Sequence, residues 1–187
     1  MLRPDEALRE IHRALELDPL SLSVNYGEAW VHIEAGRYDE ALQQMNKTLE
    51  IDPNSAVAHG TLAVAYMNKG PSDEAIKEFH RAQQLRGEYS SYAVEVARVY
   101  AIAGRKTMAW KTLHPLLADC KWGLVAPYDF AVTYAALGNK DEAFHWLWRS
   151  VDDRSCTLTE INTDRALDAL RSDPRFQDLL RRMDFPP

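Results

Sequence analysis

Histidine and cysteine are the residues of this 187-residue chain that could ligate a metal or transfer protons. The six histidines are scattered, and none belongs to a His-Glu-x-x-His pattern, in which two imidazoles on one helix face bind zinc. Cys120 and Cys156 lie far apart and form no Cys-x-x-Cys pair. We therefore predict no metal site, no disulfide framework and a reducing compartment, and we expect a cytoplasmic protein.

Motifs for nucleophilic or phosphate chemistry are missing from the sequence as well. It contains no Gly-x-Ser-x-Gly turn to present a nucleophile and no glycine-rich loop to hold a phosphate. No acid–base constellation is visible either. We predict from this that the protein is not an enzyme and uses no cofactor.

Charge and hydropathy narrow the class of partner. The formal net charge is −6, which disfavours contact with the phosphates of a nucleic acid. No apolar run approaches the roughly 18 residues that span a bilayer, and residues 1–9 contain no apolar core of a signal peptide. We expect neither a nucleic acid nor a membrane as partner.

A repeat runs through the chain and supplies its elements. Glycines recur every 34 residues, and an alanine follows each of them five residues later. The glycine suits a helix end, because it takes a positive φ at low cost. The alanine suits a place where two helices cross closely. The glycines are Gly36, Gly70, Gly104 and Gly138, and the alanines are Ala41, Ala75, Ala109 and Ala143.

Apolar residues follow a helical period inside each interval. In one interval Leu62 and Tyr66 share a stripe, and Ala75 and Phe79 share another, which indicates two amphipathic helices per repeat. Pro115 falls inside the second helix of a later repeat and should end or kink it.

The repeat and its helical periodicity predict one structural domain made of helix pairs. Asp164 should cap a short terminal helix and Pro174 should begin the last one. Residues 5–17 have the pattern of a repeat's second helix, but no first helix precedes them. Such a helix cannot bury its apolar stripe alone, so we expect the chain to be cut from a longer protein. The alternative is that this helix caps the array. The predicted parts are the second helix of a truncated repeat at 1–19, repeats at 20–53, 54–87, 88–121 and 122–155, and capping helices at 156–187 (about 156–161, 164–171 and 174–183).

The 34-residue period, with glycine and alanine in constant phase, resembles the tetratricopeptide-repeat (TPR) family over about residues 5–153. The stretches 134–144 and 170–183 resemble the C-terminal TPR region of bacterial signalling and regulatory proteins. The resemblance implies an all-α fold, a right-handed TPR superhelix (α-solenoid) of antiparallel helix pairs with a C-terminal capping helical segment. It also implies a scaffold that binds a protein or peptide.

The family's geometry places certain residues of each repeat's first helix on a concave surface. Chaperone-binding members hold a peptide's terminal carboxylate there with lysine, asparagine and arginine, whereas this sequence has residues such as Tyr26, Trp30 and Glu95, so we expect no binding of that type. We predict instead an apolar and aromatic groove with one cation, which binds a peptide or helix. Its residues are Tyr26, Trp30, Ile33, Val57, Val64, Met67, Val94, Arg98, Tyr128 and Val132.

Two alternatives to a free groove stay open. The groove, or the open N-terminal edge, could pair with a second copy, which would make the chain the dimerisation module of a larger bacterial regulator. Part of the groove could also be buried under the capping helices or against upstream repeats. Measuring the molecular size at increasing concentration separates a homodimer from the other cases.

Overall fold

The structure, a computed structural model, describes residues 3–70, 73–87, 91–119, 125–153, 158, 161–162 and 164–183. Every regular element among these residues is helical, as the repeat predicted. Contacts divide the chain into two compact units, Met1–Tyr92 and Ala93–Pro187, where the sequence predicted one structural domain. The buried apolar residues form two clusters, one in each unit.

Five helices build the first unit, and each packs on the next along the chain. The predicted repeat 20–53 contains the second and third helices, and the predicted repeat 54–87 contains the fourth and fifth. The repeat boundaries themselves stay a prediction. The helices are α1 (Pro4–Leu17), α2 (Leu22–Glu34), α3 (Tyr38–Ile51), α4 (Ala56–Lys69) and α5 (Asp73–Arg86).

In the described part of the second unit, five further α-helices and the 3₁₀ helix Arg165–Leu170 follow. Its α8 contacts α9 and the 3₁₀ helix, and α10 contacts α9. The expected helix at 156–161 falls largely outside the described residues. The elements are α6 (Tyr92–Ile102), which begins at the last residue of the first unit, then α7 (Lys106–Asp119), α8 (Pro127–Leu137), α9 (Lys140–Asp152), the 3₁₀ helix (Arg165–Leu170) and α10 (Pro174–Arg182).

One proline lies inside a helix. Helix α7 continues through Pro115 to Asp119, so this proline does not end the helix, and the alternative that it kinks the helix stays a prediction. Proline lacks one backbone donor, and the helical hydrogen bonds on both sides of it remain possible. Leu113, two residues earlier, is fully buried, and this packing favours the continuous helix.

The alanines at the fifth position after each glycine lie in the interior, which agrees with the prediction of closely packed helices. Ala41, Ala75, Ala109 and Ala143 are all fully buried. Gly36, Gly104 and Gly138 take left-handed φ values of 73°, 71° and 80°. Gly70 instead has an extended φ of 163°, because a proline follows it and restricts the preceding residue.

The C-terminal helices begin at the residues that the sequence indicated. Asp164 caps the 3₁₀ helix, since its carboxylate accepts a hydrogen bond from the backbone N–H of Ala166 at 2.8 Å. Pro174 is the first residue of α10, and Asp173 caps it. Phe176 and the leucines of α10 are buried in the second unit's cluster, which makes this helix a cap on α9.

Candidate functional site

In the first unit, part of the predicted groove is accessible. Trp30 on α2 keeps 45% of its surface exposed, and Tyr26, one turn earlier, is half-buried. Val57 and Val64 on α4 are also half-buried. Helices α2 and α4 contact each other, and Tyr26 and Val64 both pack against the first unit's cluster. We call these four residues the open face.

A hydroxyl pair joins the two helices of the open face. The Tyr26 hydroxyl and the Ser55 hydroxyl share a hydrogen bond, and Ser55 also caps α4 by accepting from the backbone N–H of Ala58 at 3.3 Å. The pair fixes the ring of Tyr26 next to the start of α4. Tyr26 thus has a defined orientation before any partner arrives, which lowers the entropy cost of binding.

Two predicted groove residues of the first unit belong to its interior instead. Ile33 and Met67 are buried, with 7% and 9% of their surface exposed. Ile33 is part of the cluster that also holds Ala41 and Met45. A side chain so placed stabilises the helix pair and offers little surface to a ligand.

Tyr92 shapes the surface next to the open face, and the sequence analysis missed it. Its ring lies over Gly60 in the middle of α4, where an added Cβ would come within 2.8 Å of the Tyr92 hydroxyl. The ring also lies 6.3 Å from the ring of Phe79. The signal was a glycine inside a helical pattern, which often marks a close approach of another group.

In the second unit, most of the predicted groove residues are not accessible. Val94 and Val132 are fully buried, or nearly so, and Tyr128 is buried as well. They share one apolar cluster with leucine and isoleucine side chains of the C-terminal segment: Leu158, Ile161, Leu167 and Leu170. The prediction of an exposed groove is wrong for Val94, Tyr128 and Val132, because the C-terminal segment packs against α8. The sequence had left this covering open as an alternative.

The predicted cation of the groove is not free. Arg98 forms an ion pair with Glu95 one turn earlier on α6, and both side chains are mostly buried. Burial raises the pKa of Glu95, and the Arg98 charge opposes this only in part. Burial, together with the nearby Glu95, also raises the pKa of Asp129 to about 7. The buried pair of Glu95 and Arg98 therefore influences a second carboxyl group, that of Asp129, inside the second unit.

His12 and His59 form hydrogen bonds between helices of the first unit. His12 Nε2 lies 3.1 Å from the carboxylate of Glu28. His32 Nε2, one turn after Glu28 on the same helix, lies 3.9 Å from the same oxygen, which is beyond hydrogen-bond distance. His59 Nδ1 lies 2.6 Å from the carboxylate of Glu78. Among the described residues, no three His, Cys, Asp or Glu side chains are arranged to hold a metal ion.

The buried Glu28 was another residue that the sequence analysis missed. It stands at the repeat position that carries Leu62, Val96 and Phe130 at successive 34-residue intervals. A carboxylate in place of an apolar core residue requires polar partners. A carboxylate at a repeat position that is otherwise apolar could have predicted a polar partner such as His12.

Charge is divided unevenly between the two units. Residues 1–92 contain nine lysines and arginines against fifteen aspartates and glutamates, whereas residues 93–187 contain thirteen of each. The net charge of −6 therefore belongs to the first unit. Within the part of the chain that the structure describes, no helix is long and apolar enough to cross a bilayer.

Comparison with known proteins agrees with the repeat. The family model for the tetratricopeptide repeat matches residues 3–58 and 32–93. A thermophilic TPR protein of Thermus thermophilus has a similar crystal structure, with a TM-score of 0.67 and 22% identity over 90% of this chain and 91% of that one. The crystal structure of MamA is similar with a TM-score of 0.56 and 20% identity over 83% of this chain and 91% of that one. No curated protein sequence matches the chain.

Residues 3–93 therefore belong to the tetratricopeptide-repeat family, and the chain as a whole has the fold of a TPR protein. Its fold is an α-solenoid of helix pairs, as the sequence resemblance implied. This fold indicates a scaffold for protein–protein interaction.

Proposed function

We propose that the first unit binds a segment of another protein on its open face. The observation that carries the proposal is Trp30, a large aromatic side chain with 45% of its surface exposed on a rigid helix. Tryptophan and tyrosine are the residues that most often dominate binding energy at interfaces. A side chain that only stabilised the helix pair would be buried, as Ile33 is.

The chemistry of the face indicates what the partner carries. Tyr26, Trp30, Val57 and Val64 present apolar and aromatic surface, which suits the apolar side of a helix or of an extended peptide. The unit around them has six more acidic than basic residues. A partner with lysine or arginine beside its apolar residues would therefore associate faster than a neutral one. The cytoplasm as the place of binding stays a prediction from the sequence.

Selection of peptides from a displayed library against the whole chain tests this function. Peptides that bind the wild type should lose at least about tenfold in affinity for Trp30→Ala, which is the usual size of a hot-spot effect. Trp110→Ala is the matched control, because Trp110 is a tryptophan of similar exposure (39%) on α7. Peptides that bind both variants equally well would refute the open face as the site.

Self-association is the second candidate, and exposed leucines favour it. Leu17 at the end of α1 is 89% exposed and Leu20 is 66% exposed, which is costly for a free surface. A second copy that covers them would produce a homodimer. Sedimentation at increasing concentration should then show a dimer for the wild type and a monomer for Leu17→Ser/Leu20→Ser. A wild type that stays monomeric at all concentrations would exclude this candidate.

A further inference from the structure

The second unit carries the same repeat positions as the open face. Tyr128 and Val132 stand three 34-residue periods after Tyr26 and Trp30. In the first unit these positions are accessible, and in the second they are buried. The difference comes from residues of the C-terminal segment, which pack in the same cluster as Val132. We call Leu158, Ile161 and residues 164–170 the cover.

The cover is attached as a bound peptide would be. It contributes apolar side chains at spacings of three, Leu158 with Ile161 and Leu167 with Leu170, to the cluster around α8. It also makes a directed polar contact, in which the Tyr128 hydroxyl donates to a carboxylate oxygen of Asp164 at 2.7 Å. Apolar anchors combined with an orienting hydrogen bond are typical of a peptide on a helical face.

The buried charged groups beneath the cover do not have a complete set of hydrogen-bond and charge partners. Glu95 pairs with Arg98, the charge of Glu95 raises the pKa of Asp129, and the carboxyl of Asp164 in the cover raises the pKa of Glu95. The buried Nε of Arg98 has no hydrogen-bond partner among the described residues. Buried charges without full pairing destabilise the state that contains them.

One basic residue beside the cover, Arg171, is already engaged in contacts with the cover. Arg171 is the basic residue that follows the 3₁₀ helix. Its guanidinium contacts the carboxylate of Asp168 at 2.8 Å and donates to the backbone carbonyl of Asp164 at 3.0 Å. It thus holds the helix start, and the polar group under the cover gains no second cation from it.

The backbone structure of the cover is also less stable than that of the α8 helix beneath it. Its six-residue 3₁₀ helix has poorer hydrogen-bond geometry than the α-helix beneath it. Short elements of this kind open locally at a lower free energy than core helices. The cover should therefore detach while α8 and α9 stay folded.

We propose that the cover is an intramolecular ligand and that the α8 face beneath it is a second binding site. The site takes an external segment with the chemistry of the cover: leucine or isoleucine pairs three residues apart and one carboxylate that accepts from Tyr128. An external segment replaces each contact that the cover gives up. The tether gives the cover a high effective concentration, so the exchange needs a tight ligand or a weakened cover. This inference does not depend on a partner at the open face.

The first test measures hydrogen exchange on the whole wild-type chain. The amides of Ile161 and Leu167, which donate within the cover, should exchange faster than the core amides of α8 and α9. Cover amides that exchange only together with α8 and α9, in global unfolding, would show a fixed part of the core and overturn the proposal.

The second test uses a fluorescent peptide with the sequence of residues 158–172 as the probe. The whole chain with Leu167→Ala should bind it at least about tenfold more tightly than the wild type, because the cover has lost a fully buried leucine. Leu179→Ala is the matched control, since it removes an equally buried leucine from α10. It should bind the probe as the wild type does.

The peptide itself supplies a second control. A probe with Asp164→Asn should bind Leu167→Ala more weakly, because it no longer offers a carboxylate to the Tyr128 hydroxyl. If Leu167→Ala fails to fold, Ala166→Gly loosens the 3₁₀ helix by backbone flexibility, removes only one partly buried methyl group and leaves the residues of α8 unchanged. Equal affinities of the probe for the cover variant, the wild type and Leu179→Ala would refute the proposal.

Discussion

The two units place the same repeat positions in different surroundings. Tyr26 and Trp30 lie on an accessible face in the first unit, whereas Tyr128 and Val132 are buried beneath the chain's own C-terminal segment in the second. The side chains alone do not separate the two cases, since both pairs are apolar or aromatic. The difference teaches that a helical repeat specifies a face, and that the segments outside the repeat specify whether the face is free.

Ala75→Trp is the largest effect we expect, and it tests what both units share. Ala75 is fully buried at a close helix crossing, so a tryptophan would force α4 and α5 apart. We expect the free energy of unfolding to fall by about 3 kcal/mol or more in urea titrations. Lys77→Trp, on the exposed side of the same helix, should change it by less than about 0.5 kcal/mol. A Tm equal to the wild type would show that the register is wrong.

Trimming equivalent positions of the two units to alanine should affect them unequally. Val132→Ala removes a side chain that is 1% exposed and should cost about 2 kcal/mol of stability. Trp30→Ala removes an exposed ring and should cost less than about 1 kcal/mol, although it weakens partner binding. Urea unfolding of both variants measures the difference. A larger loss for Trp30→Ala would place this ring in the core.

The pH dependence of stability should distinguish the second unit from the first. In the folded unit the pKa of Asp129 is about 7, whereas its ordinary value is 3.8, so the folded state holds a proton that the unfolded chain releases. The stability from this group is complete below about pH 4 and is lost as the pH rises to about 7. We expect the free energy of unfolding to fall by about 2 kcal/mol over this range. This is roughly half of the energy that corresponds to the full pKa shift, because Asp129 is half-buried and solvent screens its charge.

Asp129→Asn provides the matched control for that pH dependence. The amide has the shape of the protonated acid and does not titrate, so the loss between about pH 4 and pH 8 should shrink relative to the wild type. Urea titrations of both proteins at the two pH values measure this. Identical pH dependences would contradict a raised pKa at Asp129.

Two glycines on first-unit helices should respond in opposite directions, and this is the smallest effect. Gly27→Ala meets no atom within 4 Å and should stabilise α2 by about 1 kcal/mol. Gly60→Ala meets the Tyr92 ring and should destabilise by about 1–2 kcal/mol despite its better helix propensity. Thermal unfolding of the two variants gives the signs. Stabilisation by both would mean that Tyr92 moves aside at no cost.

The parts of the fold that repeat were predictable from the sequence. The 34-residue period located the helix pairs, and the alanine column identified close crossings that the structure confirms at Ala75 and Ala143. Short-range sequence patterns were sufficient there, because helix caps, turns and small side chains affect the structure only within a few residues. At Pro115 the local rule left two outcomes open, an end or a kink, and the helix does not end there.

The candidate site was predictable only in part. Trp30 is exposed as expected, but Val94 and Val132 are buried, because their neighbours come from residues far along the chain. The contact between Gly60 and Tyr92 is also between distant residues. A single sequence shows the period of a helix face, and it does not show which segment lies across that face.

The sequence by itself thus determined an all-helical TPR chain, its helix pairs and the residue types on each first-helix face, because these follow from local periodicity and turn chemistry. Only the tertiary structure decided which face is open. It left Trp30 exposed, brought the Asp164 carboxylate to the Tyr128 hydroxyl, and buried the ion pair of Glu95 and Arg98. The physical reason is burial. Desolvation and apolar packing at a residue depend on all the segments that pack around it, including those distant in sequence. They determine both its pKa and its accessible surface.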